Sequence, residues 1–238
     1  MNILFLHGLA GEPNDWDTIK NQMERLGHLC LAPRIPYFAE TYSTIEEPSK
    51  MVALSVDSNL INSDFIVVGN SLGCSIALRL GGSSRAMLLV APHVVTSSHW
   101  IGRGEASFQR ELGKIFFDPS LLDEERKKHY ANLWLSFHRD RDSVSKIKKI
   151  KKAIANDNIY EGYINHQHKI HLILGEHDKI SPQHLFNDIQ ANYPGVTTHE
   201  IRDCGHAIPI EAPGELCFLI KKMILDFEDH PSHSLPFA

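Results

Sequence analysis

The sequence predicts an α/β fold, a six-stranded and mostly parallel sheet flanked by helices with a helical insertion. Three observations predict it. Short apolar runs recur at positions 2–6, 28–32, 65–68, 86–90, 170–174 and 196–201, the length of buried strands rather than helices. Stretches of helical period separate most of them, the alternation that βαβ units produce. The exception, 94–168, is too long for a simple crossover and carries helical patterns of its own at 124–135 and 145–155. The expected organisation is a core of 1–93 and 169–238 interrupted by a helical lid at 94–168.

Each element has a local cause. The first strand, Asn2-Ile3-Leu4-Phe5-Leu6, lacks the basic leader and apolar length of a signal peptide and runs straight into His7-Gly8. Trp16, Ile19, Met23 and Leu26 then make a helical stripe that stops at Gly27, an apparent C-terminal cap. Met51, Leu54 and Ile61 repeat the stripe less cleanly before Phe65-Ile66-Val67-Val68. That third strand meets Gly69-Asn70-Ser71-Leu72-Gly73 and a helix-like segment to Leu80. Late in the chain, Pro182 opens a helix bearing Leu185, Phe186 and Ile189. The last helix carries Leu216, Leu219, Ile220, Met223, Ile224 and Phe227, and the tail from His230 reads as a frayed end.

Composition narrows the function. At 238 residues, 42% of them hydrophobic, the chain can bury one substantial core. A net charge of -5 gives no global attraction to nucleic acid or anionic membrane, and no apolar run approaches the ~18 residues of a membrane span. Cys30, Cys74, Cys204 and Cys217 are scattered without a C-x-x-C pair, as small buried hydrophobes would be, which fits a reducing cytoplasm. His166, His168 and His171 crowd together but lack the spacing and partners of a metal site, and no cofactor is called for.

Three residues stand just past the carboxyl ends of expected strands. Ser71 sits in G-x-S-x-G between strand and helix, the pattern of a turn that lifts a nucleophile above a sheet. Asp178 follows the fifth strand ahead of Pro182, and His206 follows the sixth in Cys204-Gly205-His206. With strands in the order 2-1-3-4-5-6, the first and third are neighbours at the switch point where open α/β sheets bind ligands. The backbone N–H groups of Leu9 and Leu72 could then hold an oxyanion across that crevice, while His7 supports the turn.

The order Ser, Asp, His, together with HGLAGEPNDW, GNSLG, GEHDKISP and CGHAIPIEAP, resembles the α/β-hydrolase superfamily along nearly the whole chain. The resemblance implies that order of strands, a triad of Ser71, Asp178 and His206, and an oxyanion hole at Leu9 and Leu72. Two strands that usually precede the His-Gly turn are missing, which implies a six-stranded sheet as in the compact esterase-like and hydroxynitrile-lyase-like branches. The expected activity is serine carboxylesterase chemistry on small to medium acyl esters.

Substrate clues lie in the insertion. Leu112, Ile115, Phe116, Phe117, Leu121, Leu122, Leu133, Trp134, Leu135 and Phe137 could line an acyl pocket or pack the lid helices together. Residues 101–160 hold 13 Lys and Arg against 9 Asp and Glu, a basic lid on an acidic body. Its densest run, with Lys146, Lys148, Lys149, Lys151 and Lys152, is a solvated helix face or a dock for an acidic acyl carrier. A helical lid with basic residues also resembles the pimeloyl-acyl-carrier-protein methyl ester esterases. Two alternatives stay open, an acyl-carrier ester or thioester hydrolase and a noncatalytic receptor on the same fold.

Overall fold

Six parallel strands form one sheet in the order β2-β1-β3-β4-β5-β6. They are β1 (Asn2–Leu6), β2 (Leu29–Leu31), β3 (Phe65–Asn70), β4 (Ala86–Val90), β5 (Ile170–Gly175) and β6 (Thr197–Ile201). The structure, a computed structural model, describes residues 1–9, 11–37, 42–56, 64–93, 105–137, 141–181 and 183–229. Ile61, Pro182, the tail from His230, and the side chains of Trp134, Phe137, Ile147 and Leu185 lie outside that description.

The apolar runs are continuous because both faces of the sheet are covered: β3 from Phe65 to Gly69 and all of β4 are buried. Helix α1 (Asp17–Arg25) packs through Ile19 and Met23, and Trp16 ahead of it packs tilted against Phe5 at 5.1 Å between ring centroids. Gly27, at φ 85°, ends that stretch in the left-handed conformation glycine tolerates. Leu26 falls beyond the helix and is exposed.

Helix α2 (Glu46–Ser55) departs from the expected stripe. Its buried side is Pro48, Ser49 and Val52, while Leu54 is 88% exposed. Ser49 can be buried because its hydroxyl donates to the Ile45 carbonyl at 2.7 Å, leaving no unmet polar group. The sequence pattern gave no sign of that local bond.

Helix α3 (Leu72–Leu80) follows the elbow, and among the described residues four helices lie between β4 and β5. These are α4 (Glu105–Ile115), α5 (Glu124–Phe137), α6 (Arg141–Ala155) and α7 (Ile159–His166). They divide between two cores. Phe108, Leu112, Phe116, Leu122 and Tyr130 form a separate cluster with Ala207, beside the loop that carries His206. Ile150, Ala153, Ile154, Ile159 and Tyr163 instead join the main core.

The register lines up the strand ends. Leu6 pairs with Gly69, Asn70 with Val90, and Gly175 with Ile201. The residues that follow each strand therefore emerge in one row along the carboxyl edge of the sheet.

Candidate active site

Ser71 occupies the single step between β3 and α3 with φ 53° and ψ -118°, a backbone conformation that costs a non-glycine residue about 1–3 kcal/mol. The turn is held from several sides. Ser71 N–H donates to the Val90 carbonyl at 2.9 Å, and its own carbonyl accepts from Cys74 at 3.0 Å. The flanking glycines are needed for close approach: a Cβ on Gly73 would lie 2.2 Å from the Leu6 carbonyl oxygen, and one on Gly69 would lie 2.5 Å from that of Gly73. The Asn70 side chain donates to the carbonyls of Val90 (3.1 Å) and His206 (3.4 Å), tying the elbow to the histidine loop.

Asp178 and His206 meet across the β5 and β6 loops. His206 Nδ1 lies 2.9 Å from Asp178 Oδ2, with both side chains buried. The other carboxylate oxygen, Oδ1, accepts the backbone N–H groups of Ile180 (2.7 Å) and Ser181 (2.8 Å), so the carboxylate cannot rotate freely. Ser181 Oγ donates to the Pro92 carbonyl at 2.6 Å and sits 3.5 Å from His206 Nδ1, a second support for the ring.

A cavity of about 100 Å³ opens beside Ser71 and His206, lined also by Gly8, Leu9, Asp15 and Tyr130. Leu72 is the first residue of α3, where an N–H has no intrahelical acceptor. Leu9 lines the cavity from the turn after β1. His7 is buried in a structural role. It accepts from Ile35 N–H at Nε2 (2.9 Å) and donates from Nδ1 to the Gly8 carbonyl (2.9 Å), and burial pushes its pKa down, consistent with a neutral ring.

Several polar groups here were not singled out by sequence patterns. His93 lines the same cavity, and burial, aided by nearby His206, pushes its pKa down to about 4, so the ring is neutral at pH 7. Glu211 accepts backbone N–H groups from Phe117 (2.7 Å) and Asp118 (3.1 Å) through Oε1 and from Gly205 (3.0 Å) through Oε2. It clamps the insertion to the histidine loop, as do bonds from His206 and Ala207 N–H to the Ile115 carbonyl. Glu211 lies within the CGHAIPIEAP segment, and only the fold discloses its partners.

Of the insertion's apolar residues, Ile115 lines the cavity, whereas Leu112, Phe116 and Leu122 pack with one another. Phe117, Leu121 and Leu135 are exposed. The basic run is also divided: Lys148, Lys149 and Lys152 face solvent, Lys146 pairs with Asp142 at 3.2 Å, and Lys151 is half-buried, which lowers its pKa. Among the described residues, Glu176, His177 and Asp203 bring potential metal-ligating atoms within 4.8 Å of one another, with His177 stacked on Phe117. No helix among the described residues is long and apolar enough to cross a membrane.

Such a sheet, with an elbow at its switch point, defines an α/β hydrolase-type protein, and comparison with known proteins agrees. The chain belongs to the alpha/beta hydrolase family, whose profile matches residues 3–217. It is 35% identical over 83 residues to a Haemophilus influenzae protein provisionally named 2-succinyl-6-hydroxy-2,4-cyclohexadiene-1-carboxylate synthase, covering 33% of this chain and 32% of that one. It is 24% identical over 265 residues to the provisionally named lysophospholipase BODYGUARD 4 of Arabidopsis thaliana, covering 90% of this chain and 61% of that one. The chain thus spans about a third and about three-fifths of these two relatives. Its fold is similar to a provisionally described lipase of Acinetobacter baumannii AYE, with TM-score 0.76, 17% identity, and coverage of 96% of this chain and 84% of that chain.

Proposed function

We propose that the protein is a serine hydrolase that cleaves carboxylic esters of small to medium acyl groups through an acyl-enzyme on Ser71. The observation that carries this reading is the 2.9 Å contact between His206 and Asp178 at the wall of the cavity that Ser71 also lines. With Asp178 holding Nδ1–H, Nε2 of His206 is the free base for the Ser71 hydroxyl. Attack on the ester carbonyl gives a tetrahedral oxyanion, for which the N–H groups of Leu9 and Leu72 are the donors. Collapse expels the alcohol with a proton from His206. Water, activated by the same ring, then releases the acid. Residues 94–168 act in this reading as a lid, joined to the site through Ile115 and the Glu211 clamp.

Hydrolysis of p-nitrophenyl esters from acetate to laurate by wild type and Ser71→Ala tests the reading. A chain-length optimum that disappears in the variant supports it; equal rates in both overturn it. A carrier-linked acyl substrate is a second reading, favoured by the solvent-facing Lys148, Lys149 and Lys152. Turnover of an acyl-carrier ester that is indifferent to salt would count against it.

A further inference from the structure

Besides His93 and Asn70, whose amide is held by the Val90 and His206 carbonyls, the cavity beside Ser71 holds two polar side chains that the hydrolytic steps do not use, Asp15 and Tyr130. They arrive from separate parts of the chain, Asp15 from the turn after β1 and Tyr130 from α5 of the insertion. Much of the remaining wall is aliphatic, with Leu9, Ile115, Ile180 and Ile210.

Asp15 is fixed in place. Its N–H donates to the Glu12 carbonyl at 3.1 Å, and its Oδ2 accepts from Glu12 N–H at 2.9 Å. The adjacent Trp16 is fully buried, which anchors the backbone on that side. A Cβ on Gly11 would lie 2.8 Å from Asp15 Oδ2, so glycine there leaves the carboxylate its room. One backbone donor occupies one of the roughly four lone-pair positions of a carboxylate.

The surrounding charges do not neutralise it. Glu12 lies on its own turn, and Arg126, His129 and Tyr130 face it from α5. Arg126 is turned to Asp123, its Nη1 donating to Oδ2 at 3.1 Å. Burial outweighs the attraction of Arg126 and His129 and raises the Asp15 pKa to about 6. At neutral pH Asp15 is therefore an under-solvated acceptor on the cavity wall, and a donor delivered by a ligand has most to gain there.

The geometry points to Asp15 and Tyr130 as a hydroxyl-recognition subsite, which selects short aliphatic acyl groups bearing a hydroxyl. A hydroxyl can donate to a carboxylate and accept from a phenol at once, which neither a second carboxylate nor an ammonium can do. The aliphatic wall holds the chain between that hydroxyl and the carbonyl at Ser71. This substrate class rests on the serine-hydrolase reading.

The test compares methyl 3-hydroxybutyrate with methyl butyrate in two ways: turnover by wild type in a pH-stat, and binding to Ser71→Ala by calorimetry. The expected preference for the hydroxylated ester is about 10- to 100-fold in kcat/KM, and it is also seen in Kd. In Asp15→Leu both ratios collapse towards one, whatever the common rate. Asp15→Asn, which keeps the volume and an oxygen for Glu12 N–H, gives an intermediate ratio and covers the case that the leucine variant fails to fold. The wild-type ratio falls between pH 8 and pH 5, whereas that of Asp15→Asn stays flat; any pH dependence that the two esters share cancels in a ratio. A wild-type preference below twofold, or one that survives Asp15→Leu, overturns the subsite. Stronger binding of methyl 3-aminobutyrate than of the hydroxy ester also overturns it, in favour of a cation site. Persistent turnover by Ser71→Ala would instead refute the nucleophile, and the Asp15-dependent ratio would still be read from binding.

Discussion

Replacing Asp178 by asparagine separates orientation from stability. The two carboxylate oxygens of Asp178 have different work: Oδ1 accepts from two backbone N–H groups, and Oδ2 faces His206 Nδ1. In Asp178→Asn the amide oxygen must take the Oδ1 place, because an NH2 cannot accept from Ile180 and Ser181. The NH2 then points at Nδ1, and His206 is driven into the tautomer with its proton on Nε2. That proton faces the position where a base is needed for Ser71, so kcat/KM should fall about 10³- to 10⁴-fold. Stability should change little, since both backbone donors stay paired. Asp178→Ala strands those two partly buried N–H groups and should cost about 2–4 kcal/mol, with a melting temperature lower by roughly 5–15 °C. The assay is p-nitrophenyl butyrate hydrolysis alongside thermal melts of wild type and both variants. More than a tenth of wild-type activity in a folded Asp178→Asn would refute the tautomer argument.

Relief of backbone strain at φ 53° should make Ser71→Gly melt about 2–4 °C above Ser71→Ala, with both inactive; equal melting temperatures would mean the turn is unstrained. Gly73→Ala should destabilise by about 3 kcal/mol or more in a urea titration, because its Cβ would stand 2.2 Å from the rigid Leu6 carbonyl oxygen. Asp15 titrates near 6 in the folded protein against 3.8 in the unfolded chain, so the folded state holds its proton more tightly and this stabilisation is lost as pH rises through 6. Asp15→Asn should therefore be more stable than wild type at pH 8, by up to about 3 kcal/mol, and nearly equal to it at pH 4, as followed by chemical denaturation. Glu211→Ala should speed amide hydrogen exchange at Phe117, Asp118 and Gly205, whose N–H groups it accepts, and unchanged exchange there would show the clamp to be dispensable.

The strands were legible because burial on both faces demands apolar runs, and β1 and β4 match the sequence reading residue for residue. The stripe before β3 misled because hydrophobicity ranks Leu54 above Ser49, whereas the bond from Ser49 to Ile45 reverses their burial. In the insertion, the helical patterns near 124–135 and 145–155 were readable, but which core each helix joins was not. Helical period says that a face is buried and says nothing of what buries it. The lysine run shows the same limit, since Lys151 and Lys149 are alike in sequence and differ in exposure.

By itself the sequence determined the order of strands and helices, the glycine-flanked serine and the positions of Asp178 and His206, because periodicity and turn chemistry are local. Only the tertiary structure decided which oxygen of Asp178 faces His206, that Asn70 and Glu211 bind the loops together, and that Asp15 and Tyr130 share the cavity of Ser71. Those relations join residues as much as 136 positions apart, and a local pattern carries no information about which distant backbone groups a polar side chain will meet.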